Sequence, residues 1–276
     1  MAHPGEPWDR VLAEAAAPDH IVQLYQDQNF LNRAVCRFAA AALANGEAVI
    51  LVPTQDHWEA FRPRLEAEGV DLKAAQLNGQ LTVVDAGRLL PQFMRNEMPD
   101  APVFLGLAAD IIARGRADAR FPKVRWWGEM VGVLWERGDV SASMNLEDLF
   151  DQLAHQQDIA IFCSFLMDNF DGEVHARMLP RLQENHSHLI PVEDYERLDL
   201  AVLNALRETV GADEARVLEE RLLRASPARA GSRRFQMPRS QALLLALGEV
   251  LPGVADAVRK RSRTLYSVPS MDASSE

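Results

Sequence analysis

The chain has 276 residues, 48% of them hydrophobic and 25% charged, with a formal net charge of −11. Those proportions suit a globular protein with one large core, or one core and a smaller helical appendage, and they exclude global disorder. No apolar run approaches the ~20 residues that span a bilayer, and the two cysteines, Cys36 and Cys163, have no CxxC neighbour that would suggest a disulfide framework or a structural zinc site.

Residues 1–16 read as a flexible start without the cationic and apolar segments of a signal peptide, so a cytoplasmic location is expected. His20-Ile-Val-Gln-Leu-Tyr25 has the composition of a strand, and the alanine-rich stretch from Asn29 to Ala44 has helical spacing, stopped by Asn45-Gly46. Ala48 to Val52 is a continuous aliphatic run, as in a strand buried on both faces. Thr54 can cap a following helix that carries Trp58, Phe61 and Leu65 on one side. A third strand is expected from Gln80 to Asp85, after the Asn78-Gly79 turn.

Arg88 to Arg95 and Val103 to Arg114 read as helices, broken at Pro99 and Pro102. Lys123 to Trp127 reads as a fourth strand, and Gly128 to Glu136 fits either regular structure. A helix starting at Ser143 or Asn145 runs to Gln156, and Asp158 to Phe165 forms a fifth strand. Strands alternating with helices over short connections predict an α/β fold with a mostly parallel sheet flanked by helices. Such sheets place ligand chemistry at the carboxyl ends of their strands.

The pattern changes after Tyr195. Amphipathic stretches at Tyr195 to Val210, Ala212 to Ala225, Ser240 to Leu251 and Pro252 to Tyr266 predict a small C-terminal helical region over 196–266, with a loop from Ser226 to Phe235 and a disordered tail over 267–276. From Ser226 to the end the chain carries +4, which leaves −15 for residues 1–225. An acidic body of that kind repels nucleic acid. Arg259, Lys260, Arg261 and Arg263 fall where cations complement a helix C-terminus, although they could also form a contact surface for an acidic partner or for the chain's own body.

Few motifs carry chemistry. The turn after the first strand, Tyr25-Gln-Asp-Gln-Asn-Phe30, lacks the glycines and lysine of a phosphate-binding loop, and Asp27 would repel a phosphate. His186 and His188, with Glu184 nearby, form an H-x-H pair that would need further ligands such as His20 or Glu193 to hold a metal; no metal and no cofactor are expected. Cys163 lies in an apolar run and reads as a core residue. Glu129 ends the fourth strand and could bind a donor group there; pairing with Arg125 or capping a following helix explains it equally well.

The order His20-Ile-Val-Gln-Leu-Tyr25, Asn45-Gly-Glu-Ala-Val49, Arg125-Trp-Trp-Gly-Glu-Met130, Phe162-Cys-Ser-Phe165, His186-Ser-His-Leu-Ile-Pro191 resembles the MEDS sensory domain family over about residues 17–195. The resemblance implies a recombinase- or clock-ATPase-like core without the phosphate loop, and a ligand sensor rather than an enzyme. It implies a role in bacterial signal transduction, such as two-component regulation. No kinase or helix-turn-helix output is recognisable, so output is expected through a signalling partner, such as a histidine kinase or regulator, or through a homodimer. Neither direct nucleic-acid binding nor membrane association is expected. Carried over by position, the family's motif residues are His20, Tyr25, Glu47, Arg125, Glu129, Cys163 and His186. Of these, Tyr25, Arg125 and Glu129 are expected to line the ligand pocket, with His20, Cys163 and His186 as further candidates; Glu47 is expected to fix a turn. A degenerate nucleotide-binding protein and a ligand-free interaction module are the competing expectations.

Overall fold

The computed structural model describes residues 6–116, 120–225 and 235–267 and divides into two compact units. The first comprises Met1–Leu166 with Asn185–His188; the second comprises Met167–Glu184 with Leu189–Glu276.

In the first unit, helix α1 (Pro7–Ala13) precedes strand β1 (His20–Tyr25). The expected flexible start is thus helical over these residues. Pro7 presets the first-turn geometry, and Trp8 and Leu12 are buried, with the Trp8 ring edge-on to Phe30 at 5.3 Å. The chain continues through α2 (Gln28–Ala44), β2 (Ala48–Val52), α3 (Gln55–Ala67), α4 (Leu72–Leu77) and β3 (Leu81–Val83). Next come α5 (Ala86–Phe93) and a hairpin of β4 (Met94–Arg95) and β5 (Met98–Pro99). Then follow α6 (Ala101–Gly115), β6 (Val124–Gly128), α7 (Met130–Glu136), α8 (Val140–Gln157) and β7 (Ala160–Leu166), while α9 (Leu179–Asn185) and β8 (His188–Ile190) are each divided between the two units.

The six-stranded sheet has the order β3-β2-β6-β7-β1-β8. The pairings of β1 with β7, β7 with β6, β6 with β2 and β2 with β3 are all parallel. This is the helix-flanked α/β architecture the sequence predicts. β2 and β6 are buried at every position; β2 is accordingly an uninterrupted apolar run, whereas β6 also carries the charged Arg125. Tyr25 of β1, Ser164 of β7 and Trp127 of β6 line one narrow crevice.

Several local readings change, among them Thr54, which stands at the N-cap of α3 without a side-chain capping bond. The helix expected over Arg88 to Arg95 begins at Ala86, because the Asp85 side chain accepts from the Arg88 backbone N–H. It stops at Phe93, because Asn96 and Glu97 adopt φ of 48° and 66° and turn the chain back into the hairpin. Helix α8 begins at Val140, ahead of both expected starts.

The second unit contains a π-helical turn (Val174–Met178), most of α9, and helices α10 (Tyr195–Val210), α11 (Ala212–Ala225), α12 (Arg239–Val250) and α13 (Pro252–Ser267). Leu198, Val202 and Leu206 of α10 form a core with Leu218 and Leu222 of α11, Leu243 and Leu247 of α12, and Val258 of α13. Among the described residues, Arg239 pairs with Glu219, Lys260 with Asp256, Arg261 with Glu208 and Arg263 with Asp168. The expected loop, from residue 226 to 234, and the expected tail, from residue 268 onward, lie outside the described residues. No helix among the described residues is long and apolar enough to cross a membrane.

Candidate functional site

Tyr25 ends β1 and Glu129 follows β6, and the parallel sheet brings both to one narrow cleft. The sequence reading missed the third member, His57, from the first turn of α3. Its Nδ1 lies 2.5 Å from Glu129 Oε2, and its Nε2 lies 2.9 Å from Gln28 Oε1. Because an oxygen acceptor faces each ring nitrogen, this arrangement suits the doubly protonated imidazolium. Burial alone would lower the pKa of His57, but the hydrogen bond and charge of Glu129, supported by Glu136 and Asp56, raise it above 6.5. Burial, together with the charges of Glu136 and Glu129, pushes the Tyr25 hydroxyl well above its usual range, so it stays neutral.

Aromatic rings fix this geometry. The His57 ring lies parallel to Phe61, 5.8 Å between centroids, and Phe61 packs edge-on to Trp127 at 5.2 Å. Trp127 Nε1 donates to Ser164 Oγ at 3.2 Å, and that hydroxyl donates to Gln23 Oε1 at 3.3 Å, so the buried polar groups beneath the cleft are linked. The cavity itself holds about 10 Å³, the room of a single water. At the start of α2, where a phosphate-binding loop would present its amides, Asp27 Oδ1 accepts from Asn29 N–H at 2.9 Å. A carboxylate of the chain thus occupies the position a phosphate would need.

Arg125 does not line this cleft. It lies near the start of β6, and β7 separates that strand from β1, so Arg125 and Tyr25 are not on neighbouring strands. Its Nε donates to Glu47 Oε2 at 2.6 Å, and its terminal nitrogens donate to the carbonyls of Leu12 at 2.8 Å and Ala13 at 3.1 Å. The guanidinium also lies over the Phe38 ring. Glu47, expected to fix a turn, is therefore the counter-ion of Arg125, and the pairing of Glu129 with Arg125 does not form. Glu129 stands at the N-terminal boundary of α7, but its side chain makes no capping bond.

His20, Cys163 and His186 also lie outside the cleft, but they meet one another. With Glu147 of α8 they form a cluster buried at every member, their ligand-type atoms all within 4.8 Å of one another. His20 Nδ1 lies 2.9 Å from the Asn185 carbonyl, and its Nε2 faces Cys163 Sγ at 3.4 Å and Glu147 Oε2 at 3.3 Å. The His186 ring stacks on His20, 3.8 Å between centroids, with its Nε2 3.3 Å from the same Glu147 oxygen. Burial would lower the pKa of His20, but Asp151 and Glu147 outweigh it and raise the value to about 8. Burial would raise Glu147, but the two imidazoles outweigh it and lower the value to about 2. Burial and Glu147 push the Cys163 thiol well above its usual range.

The metal ligands suggested by sequence are therefore partly replaced. His188 bonds instead to Ser187 Oγ at 2.9 Å, Glu193 belongs to the second unit, and neither Glu184 nor Glu193 is in the cluster. Glu147 was missed, although it sits in the buried stripe of α8 among Ser143, Leu146 and Phe150. A carboxylate at an apolar position of a helical repeat was the available signal. His57 had a weaker one: it precedes Phe61 by one helical turn, which places it beside the buried face.

The fold is a parallel α/β sheet flanked by helices, with a narrow crevice toward the carboxyl ends of β1 and β6. Residues 19–180 match the family model of MEDS, the methanogen/methylotroph, DcmR sensory domain, and the chain belongs to that family. No curated protein matches it significantly.

Proposed function

We propose that this chain is a non-catalytic cytoplasmic sensor of bacterial signal transduction that takes a small ligand with hydrogen-bond donors at the cleft between Tyr25, His57 and Glu129. The observation that carries the reading is the His57–Glu129 pair at 2.5 Å, held at the strand ends of a domain from a sensory family. Glu136 also lines the cleft, which gives it acidic character suited to a donor ligand. Asp27 at the start of α2 argues against the competing nucleotide-binding reading.

The cavity has room for about one water, so a larger ligand must open it. Displacing His57 from Glu129 would couple ligand entry to movement of α3. A ligand biases such an equilibrium only by its differential affinity for the two arrangements. The output then passes to a signalling partner, such as a histidine kinase or transcription regulator, or to a second copy of the chain.

A thermal-shift screen of small metabolites on wild type and Glu129→Gln tests this reading. A ligand that stabilises wild type and loses most of its effect in the variant supports it. If no compound in a broad set separates the two proteins, the cleft is not a ligand site.

A further inference from the structure

Four potential metal ligands from separate parts of the chain converge at the buried end of β1, away from the cleft. His20 comes from β1, Glu147 from α8, Cys163 from β7, and His186 from the segment after α9. A carboxylate in an apolar interior requires compensation. Glu147 Oε2 lies 3.3 Å from both His20 Nε2 and His186 Nε2, and the two imidazoles compensate its charge.

The orientation of His20 sharpens the point. If its Nδ1 donates to the Asn185 carbonyl at 2.9 Å, a neutral ring turns the Nε2 lone pair toward Glu147 and Cys163. With the Cys163 and imidazolium protons released, the lone pairs of His20, Cys163 and Glu147 would face one another across the cluster, an arrangement that a cation satisfies. An imidazole fixed by a backbone carbonyl through its outer nitrogen is also the usual setting of a metal-bound histidine.

Three of the six separations suit one ion class. Bonds of ~2.0 Å to nitrogen and oxygen and ~2.3 Å to sulfur, arranged tetrahedrally, place neighbouring ligand atoms roughly 3.3–3.5 Å apart. The three separations through His20 Nε2 and Glu147 Oε2 are 3.3, 3.3 and 3.4 Å. Two imidazoles, a thiolate and a carboxylate form a borderline donor set, and four protein ligands leave no open position for a reacting water.

We propose that His20, Glu147, Cys163 and His186 bind one divalent transition-metal ion of the zinc class in a closed, four-coordinate site. The ion would tie β1, β7 and α8 to the 185–188 segment. This site is separate from the Tyr25–His57–Glu129 cleft and stands or falls without it.

The test uses the full chain, purified without a histidine tag or chelator. Elemental analysis should find about one zinc per chain, and X-ray absorption of the zinc-loaded wild type should show one sulfur at ~2.3 Å with nitrogen or oxygen ligands at ~2.0 Å. Cobalt(II) added to metal-free protein should give intense visible bands and a thiolate-to-cobalt charge-transfer band, and Cys163→Ser should abolish the latter. Glu147→Gln should weaken zinc binding by more than about 100-fold, beyond the roughly 10- to 100-fold cost of losing an outer-shell partner. Wild type that binds no zinc or cobalt, or a zinc shell without sulfur, overturns the proposal and leaves a buried imidazolium–carboxylate pair. The wild-type absorption measurement stays decisive if either variant fails to fold.

Discussion

Arg125 and Glu47 meet at 2.6 Å in the interior of the α/β unit, where the arginine is only 2% exposed. The same guanidinium holds the carbonyls of Leu12 and Ala13, so one side chain fastens the end of α1 to β6. Arg125→Ala removes these bonds and leaves Glu47 without its counter-ion, at an expected cost of about 3–5 kcal/mol. Arg125→Lys should recover only part of this, because an ammonium lacks the planar fork that reaches all three oxygens. Urea unfolding of the three proteins checks both statements; a loss below about 1 kcal/mol for the alanine variant would contradict them.

The His57–Glu129 pair should give the cleft a pH dependence. The folded pKa of His57 is raised above 6.5, so its contribution to stability is fully present below pH 6.5 and is lost as pH rises through the higher folded value. In Glu129→Gln the imidazole loses its carboxylate while keeping its burial, so it should titrate lower than in wild type. Histidine ring signals followed by NMR across the neutral range measure this shift, and an unchanged His57 titration would remove Glu129 as its cause.

His175 works in the opposite direction within the helical unit. Burial, with the nearby Arg259 charge assisting, lowers its pKa from 6.5 to about 4, while its Nε2 stays bonded to the Asn169 carbonyl at 2.6 Å. As pH falls from 6.5 toward 4, the unfolded chain takes up a proton that the folded chain refuses, so stability declines across that window by at most about 3 kcal/mol. His175→Gln keeps a donor for Asn169 and should flatten this part of the acid-denaturation curve; an equally steep curve would assign the slope to other groups.

Gly132 sets the distance between α7 and the floor of the cleft. A Cβ there would lie 3.0 Å from the Ser164 carbonyl oxygen, a backbone atom of β7 that cannot turn aside. Gly132→Ala should therefore destabilise the first unit by about 1–3 kcal/mol through overpacking, despite the better helix propensity of alanine. A raised melting temperature would show that α7 can shift outward at little cost.

Hydrophobic periodicity and turn chemistry specified the α/β class, the parallel strands and the helical C-terminal region, because each is written locally in runs such as Ala48–Val52 and in the amphipathic helices after Tyr195. The motif order specified the family. That Tyr25 and Glu129 lie toward one edge was also legible, since parallel strands place their carboxyl ends there. Which charged groups would meet was decided only by tertiary structure. Arg125 could have paired with Glu129 or lined the cleft, yet strand order sent it to Glu47, 78 positions away in sequence. The strand register and the packing of α8 likewise collected His20, Glu147, Cys163 and His186 from across the chain. A buried polar group selects its partner through interactions over a few ångströms, and no local sequence pattern encodes a distance between residues this far apart.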